Sequence, residues 1–365
     1  MDSPSRSRVS GSGLPRALLS GAAIAAVAAL AASCSSSPSS SSGSAASSAA
    51  SASAQQAAYE NVVKNVLPSV VQISAGNSTG SGVVYDNKGD IVTNAHVIGD
   101  ATTATVREPV GDKVVGATVV GKFTPDDLAL IRVDSDASNL KPASWANSND
   151  AQIGQIVLAM GNPLGLTDSV TQGIISATGR TVGEGASSSG GSSGGSPLIT
   201  DAIQTSAAIN PGNSGGALVT LNNQVIGIPT LAARLPDEGG AAPGIGFAIP
   251  SDTVKNIAAQ LVRNGKVTDS GRGSLGITGE TAGNSDGNPT GVGVVSTMAG
   301  GTAASAGVRP GDVIVGLNNT KTPTVAALES VVAGLKPGAM VTIHYRPGGT
   351  GSERTGSAKL GTLTS

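Results

Sequence analysis

Ser214 lies in Asn210-Pro211-Gly212-Asn213-Ser214-Gly215-Gly216-Ala217-Leu218. A serine hydroxyl is a poor nucleophile at neutral pH. It needs a base to take its proton and backbone N–H groups to hold the oxyanion that forms. Glycines on both sides let the chain turn tightly and bring main-chain amides up to a substrate carbonyl, and Pro211 stiffens the entry to the turn. The pattern is weak alone, because the chain holds 52 glycines and residues 190–194 of a Gly/Ser tract share the G-x-S-x-G spacing. Two histidines are available as bases. His344 sits in the alternating run Val341-Thr342-Ile343-His344-Tyr345-Arg346, where a solvent-facing side chain is the ordinary reading. His96 instead ends the apolar run Ile91-Val92-Thr93, after the small residues Asn94 and Ala95. Asp127 starts the apolar run Leu128-Ala129-Leu130-Ile131, where a carboxylate can reach a neighbouring imidazole; Asp126 beside it reads as a solvated turn residue. His96, Asp127 and Ser214 together are the parts for acyl transfer. An α/β-hydrolase would place the histidine after the serine and the serine between strand and helix. Only His344 follows here, in a separate segment, and the flanks of Ser214 are strand-like, so that fold is excluded.

The elements that position these residues are short β-branched runs separated by Gly, Asn and Asp. Strands are expected at 70–74, 82–85, 90–93, 114–120, 128–133, 153–160, 173–177, 217–220 and 224–228. Many close-spaced strands with no helix between them indicate antiparallel barrels or sandwiches, and the run has room for two small barrels. Before it, Val62, Val63, Val66 and Leu67 follow helical spacing until Pro68. After it, residues 251–264 form an amphipathic helix with Val254, Ile257, Ala258, Leu261 and Val262 on one face, Ser251 as N-cap and Gly265 just past the end. The segment Gly271-Arg272-Gly273-Ser274-Leu275-Gly276 matches G-x-G-x-x-G. A dinucleotide site needs a strand before it and a helix after it; here a helix precedes and a Gly/Asn-rich loop follows, so that reading is rejected.

Composition narrows the partners. The net charge is −2, with 13% charged and 2% aromatic residues and no dense basic run, which argues against nucleic acid. No cofactor or metal is expected. One cysteine rules out an internal disulfide. Arg6, Arg8 and Arg16 precede an uncharged Ala/Leu-rich stretch, 17–33, that is short and weakly apolar for a membrane span and suits a secretory signal. It ends Leu30-Ala31-Ala32-Ser33-Cys34, which resembles a bacterial lipobox with Cys34 as the acylated residue; the alternatives are an uncleaved membrane helix and simple secretion. All three put the rest of the chain outside the cytoplasm. The Ser/Ala-rich stretch 35–54 carries no charge and reads as a flexible tether.

Taken together, Thr93-Asn94-Ala95-His96-Val97, Asp127-Leu128-Ala129-Leu130, Gly161-Asn162-Pro163-Leu164-Gly165, Ile203-Gln204-Thr205, residues 207–216 and Gly244-Ile245-Gly246-Phe247-Ala248-Ile249-Pro250 resemble the HtrA branch of the trypsin-like serine proteases. The resemblance implies a mainly β chain: a chymotrypsin-like double β-barrel with the triad between the barrels, followed by an α+β PDZ domain. It implies His96 as general base, Asp127 orienting it and Ser214 as nucleophile, with the oxyanion hole at Gly212, Asn213 and Ser214. Trypsin-type enzymes that cut after Lys or Arg carry an aspartate six residues before the serine. Ala208 stands there, so a cationic side chain would go unpaired, and a pocket of Ala208, Ile209 and Ile228 is expected to take small or medium aliphatic side chains. Two departures stand out: Ser206, where the family often has aspartate, and Pro229, which removes a backbone donor near the substrate-binding edge. Residues 181–197 fall where the family keeps a sensor loop, and read as either that or an inert Gly/Ser insertion. No activation-type N-terminus is evident, so activity is expected to depend on ordering of residues 161–166 and 207–214.

The last third resembles a PDZ domain. Leu275-Gly276-Ile277 fits the loop that receives a peptide carboxylate, followed by a strand at 292–296, a short helix at 303–308, the turn Arg309-Pro310-Gly311-Asp312, a helix at 324–335 and a closing strand at 341–345. In this resemblance a hydrophobic peptide C-terminus adds as a strand beside the second helix. The expected domains are a signal with lipobox at 1–34, a linker at 35–55, the protease at 56–268 and the PDZ domain at 269–365. The expected function is an anchored endopeptidase acting on unfolded, misfolded or signal-bearing proteins. The rival is a chaperone-like adaptor with a silent protease domain. Family members trimerise through N-terminal aromatics, and Tyr59 is the only aromatic before Tyr85.

Overall fold

The computed structural model describes residues 42–109, 113–162, 169–183, 197–210, 212–234 and 241–365. Arg6, Arg8, Arg16, Cys34 and the stretch between them lie outside the described residues, as do Pro211 and most of the 181–197 tract. Residues Ala52–Ser365 form one compact unit. Helix α1 (Ser42–Val66) starts inside the stretch whose composition reads as a tether. Its many alanines are the strongest helix formers. Val62 and Val66, four apart on one face, are buried in a core cluster that draws on both barrels, and a 3₁₀ turn with Pro68 ends the helix.

The first barrel is built from β1 (Val70–Ala75), β2 (Ser78–Val84), β3 (Asp90–Thr93), β4 (Thr103–Arg107), β5 (Val114–Phe123) and β6 (Leu128–Val133), with the short helix α2 (Ala95–Ile98) after β3. Its strand order is β1-β2-β3-β6-β5-β4, closed by pairing of Ile73 with Val106. The second barrel comprises β7 (Ile156–Gly161), β8 (Ser169–Gly183), β9 (Leu198–Thr205), β10 (Ala217–Thr220), β11 (Val225–Arg234) and β12 (Ala241–Pro250), ordered β10-β11-β12-β9-β8-β7 and closed by β7 on β10. Closure leaves neither sheet with a free edge. Three of these strands, β4, β9 and β12, were not expected from the sequence.

Helix α3 (Ser251–Asn264) has the expected bounds, and Gly265 ends it at φ 65°. Val254, Ile257, Ala258 and Leu261 are buried in a core cluster with Phe123, Leu128 and Leu130 of the first barrel and Val219 and Ile249 of the second. Ser251 is not the N-cap. Pro250 takes that position, and the Ser251 hydroxyl donates instead to the Ala146 carbonyl at 3.0 Å.

Beyond α3 come β13 (Gly273–Ser274), β14 (Ile277–Gly283), β15 (Pro289–Thr297), α4 (Thr302–Ser305), β16 (Val313–Leu317), β17 (Thr320–Lys321), α5 (Val325–Ala333), β18 (Met340–Arg346), β19 (Arg354–Lys359) and β20 (Gly361–Thr362). The main sheet runs β14-β15-β16-β18-β19, so β14 is an edge; β13 pairs with β20. The strand expected to close this part, β18, is followed by two more, whose polar or glycine-rich residues give no apolar alternation. The polar link after α3 is held from both sides. Gln260 accepts the N–H groups of Thr268 and Asp269 at 2.9 Å each, and the Ser270 hydroxyl donates to the Leu363 carbonyl at 2.6 Å.

Candidate active site

Asp127 caps a 3₁₀ turn (Thr124–Asp126) in the left-handed region, φ 51°, a conformation rare for a residue with a Cβ. The turn is fixed by donors onto the Asp127 carbonyl: Ala95 N–H and the Asn94 side-chain amide, both at 3.0 Å. The carboxylate, 1% exposed, accepts His96 N–H on Oδ1 at 3.0 Å and faces His96 Nδ1 with Oδ2 at 2.8 Å. Oδ2 also accepts the hydroxyl of Thr230. A carboxylate only accepts, so Nδ1 carries the proton in this pair and the basic lone pair falls to Nε2.

Ser214 comes from the other barrel, in the turn between β9 and β10. Its hydroxyl donates to the Thr230 carbonyl at 3.4 Å. Thr230 therefore spans the site: its carbonyl meets Ser214 and its hydroxyl meets Asp127. His96, Asp127 and Ser214 are thus brought to one place from segments that are distant in sequence. Thr230 was missed in the sequence, since one threonine in a β-strand carries no signal. Pro229 beside it pairs with Ala248 across the β11–β12 ladder and accepts Gly215 N–H at 3.0 Å; the chain bulges between Pro229 and Leu231.

The turn itself needs its glycines. Gly212 has φ 107° and Gly215 φ 81°, and a Cβ on Gly215 would lie 2.2 Å from the Ser81 carbonyl oxygen. Asn213 is buried, with its side-chain amide on the Ala208 carbonyl at 3.2 Å and its carbonyl accepting Gly216 N–H at 2.9 Å. Of the three expected pocket residues, Ala208 is exposed at the turn. Ile209 packs where a Cβ on Gly246 would sit, at 2.4 Å. Ile228 does not belong with them: it is 0% exposed, in the core with Val219, Val225 and Ile249, and presents no surface to a substrate.

Asp126 also departs from expectation. It is 1% exposed and paired with Arg272 Nη1, which donates as well to the Pro125 carbonyl at 3.1 Å. Burial pushes its carboxyl pKa above the usual range, and the Arg272 charge opposes that rise. The signal lay in two distant segments, 146 residues apart, and neither announces the other.

Leu275 and Gly276 lie between β13 and β14, and Ile277 begins β14. Leu275 is buried in the core of that sheet. Gly276 has φ 65°, with its N–H on the Ser274 hydroxyl at 3.1 Å and its carbonyl accepting Met298 N–H at 2.8 Å. His344, on β18, bonds Glu353 at 3.0 Å.

Residues 80–228 match the model of the trypsin-like peptidase domain, and residues 266–345 match that of the PDZ domain. The fold and the site therefore define a trypsin-like peptidase joined to a PDZ domain. The chain is 38% identical over 321 residues to "Serine protease PepD" of Mycobacterium tuberculosis, covering 83% of this chain and 66% of that one. It is 42% identical over 272 residues to "Periplasmic serine endoprotease DegP" of Escherichia coli, covering 72% and 53%. The chain thus spans about half to two-thirds of the length of these curated relatives. The solved serine endoprotease from Yersinia pestis superposes with a TM-score of 0.55 at 34% identity, covering 84% of this chain and 98% of the other. This chain belongs to the HtrA family of trypsin-like serine proteases with a C-terminal PDZ domain.

Proposed function

We propose that the chain is an extracytoplasmic serine endopeptidase acting on unfolded or signal-bearing proteins, with His96 as general base, Asp127 orienting it and Ser214 as nucleophile. The observation that carries the reading is the Asp127 carboxylate, which meets both His96 Nδ1 and Thr230, the residue that also meets Ser214. With Nδ1 protonated, Nε2 takes the Ser214 proton as Oγ attacks the peptide carbonyl. The N–H groups of Gly212 and Ser214, with Asn213 between them, hold the oxyanion. The tetrahedral intermediate collapses as the imidazolium gives its proton to the leaving amine, and water, deprotonated by the same nitrogen, then hydrolyses the acyl-enzyme. The exposed Ala208 and the packing of Ile209 on Gly246 leave no carboxylate for a cationic side chain, which supports cleavage after small or medium aliphatic residues.

The edge strand β14 lies beside α5, and its end at Leu275-Gly276-Ile277 suits capture of a hydrophobic peptide C-terminus. Arg272, three residues upstream, bonds Asp126, the neighbour of Asp127. That contact offers a physical route by which peptide binding shifts the active fraction. The periplasmic relative and the Arg-rich, apolar start ending at Cys34 support export with a lipid anchor. Among the described residues, no helix is long and apolar enough to cross a membrane.

A purified polypeptide from Gln55 to Ser365 should cleave casein. Triad serines supply on the order of 10⁶-fold in rate, so Ser214→Ala should abolish cleavage with the fold intact. Cleavage by that variant near the wild-type rate refutes the assignment, and a silent but peptide-binding wild type would favour the adaptor.

A further inference from the structure

Ser81 on β2 is fully buried, at 0% exposure, and no step of the proposed mechanism uses it. It nevertheless binds the second-barrel turn at two points. Its hydroxyl donates to the Gly212 carbonyl at 2.5 Å while accepting Asn162 N–H at 2.9 Å. Its own N–H donates to the Ser214 carbonyl at 2.9 Å. Its carbonyl is fixed in turn by the Thr93 hydroxyl at 2.6 Å, so this anchor belongs to the barrel that carries His96.

Peptide units are planar, with each carbonyl opposed to the following N–H. Drawing the Gly212 carbonyl toward Ser81 turns Asn213 N–H the other way, onto the Asn210 carbonyl at 3.0 Å. Holding the Ser214 carbonyl likewise turns Gly215 N–H onto Pro229. Gly212 at φ 107° and Gly215 at φ 81° have no side chain to restrict them, and glycine visits either sign of φ readily. Local sterics therefore leave the turn free to flip, and hydrogen bonds must choose its conformation. Ser81 supplies two of them.

We propose that the Ser81 hydroxyl is a positioning group: it holds the Gly212–Asn213 peptide while the Ser81 N–H holds the Ser214–Gly215 peptide, so that the Asn213–Ser214 peptide between them keeps the Ser214 N–H facing the cleft, and through Asn162 it ties this state to the end of β7. The inference rests on the oxyanion-hole reading above. It adds that a buried first-barrel hydroxyl sets the competence of a second-barrel turn.

The test compares Ser81→Ala, Ser81→Thr and Ser81→Val with wild type in the 55–365 polypeptide, with active sites counted by fluorophosphonate labelling. Labelling of wild type at Ser214 checks the nucleophile independently, so its absence would sink that reading rather than this one. Removing a single oxyanion donor costs about 10²–10³-fold in kcat. Donors that are present but misaimed should cost less, about 10- to 100-fold. Ser81→Ala should lose that factor in kcat per labelled site for a short chromogenic peptide, with KM within about twofold. Affinity for a peptide boronate, which forms a tetrahedral adduct, should fall by the same factor. Thr and Val have the same shape, so Ser81→Thr should exceed Ser81→Val by about tenfold or more in kcat and in boronate affinity; this pair decides the matter if the alanine variant folds poorly. Equal values for Thr and Val, or an alanine variant whose loss is wholly a loss of labelled sites or of melting temperature at unchanged per-site kcat, would overturn the proposal.

Discussion

Removing Arg272 should expose how much the buried Asp126 carboxylate depends on it. The side chains are 2% and 12% exposed, which places the pair among buried ion pairs, not surface ones. Breaking a buried pair by deleting one partner costs about 3–5 kcal/mol, because an uncompensated charge remains. The sign with pH follows from linkage. Burial already raises the Asp126 pKa in the folded state above its ordinary 3.8, so the folded protein binds a proton more tightly than the unfolded chain does. Such a group lowers stability as pH rises from the unfolded pKa through the folded one. Arg272→Ala removes the charge that opposes the rise, so the folded pKa climbs further and the loss of stability extends to higher pH. The penalty for Arg272→Ala should shrink toward acid pH, as protonation of Asp126 removes the uncompensated charge, and should grow to about 3–5 kcal/mol where the carboxylate is ionised. Asp126→Asn in the same background should remove most of the pH dependence. Urea titrations read by the single tryptophan, Trp145, at several pH values would measure this. A penalty that is flat with pH, or unchanged in the Asp126→Asn background, refutes the argument.

Thr230→Val keeps the carbonyl that meets Ser214 and deletes the hydroxyl on Asp127. Hydrogen bonds to charged groups are worth about 1.5–3 kcal/mol, so kcat/KM should fall by roughly 10- to 150-fold, and a value within twofold of wild type would discount the contact. Leu261→Ala empties part of the cluster that α3 shares with both barrels and should cost about 2–5 kcal/mol, read as a lower urea midpoint at constant slope. A peptide with a hydrophobic C-terminus should raise hydrolysis of a short chromogenic substrate by about 5- to 150-fold if the domains are coupled. Gly276→Pro, which cannot adopt the φ of 65° and lacks the N–H, should abolish that rise. A flat response in wild type would mean that the PDZ domain only delivers substrates.

The chain's local patterns carried the parts of this protein that depend on neighbours in sequence. Helix α3 was legible to the residue because its 3.6-residue apolar spacing ends in a glycine that can take the left-handed C-cap. The candidate triad was legible because each member sits in a short stretch with its own chemistry. Strands β4, β9 and β12 were not, since alternating Thr and Ala, a positive-φ Asp201 and the glycines and prolines of β12 erase the apolar signal that barrel pairing supplies in its place. What depended on distant partners was decided only in three dimensions. Asp126 reads as a solvated turn residue until Arg272 arrives to cover and pair it. Ile228 reads as pocket-lining until the β11–β12 pairing buries it beside Ile249. Thr230 and Ser81 carry no mark of function at all, because a hydroxyl becomes a positioning group only when folding delivers a carboxylate or a glycine carbonyl to within hydrogen-bond reach. Sequence patterns encode period and local conformation, whereas the identity of a long-range partner is set by how the two barrels close against each other.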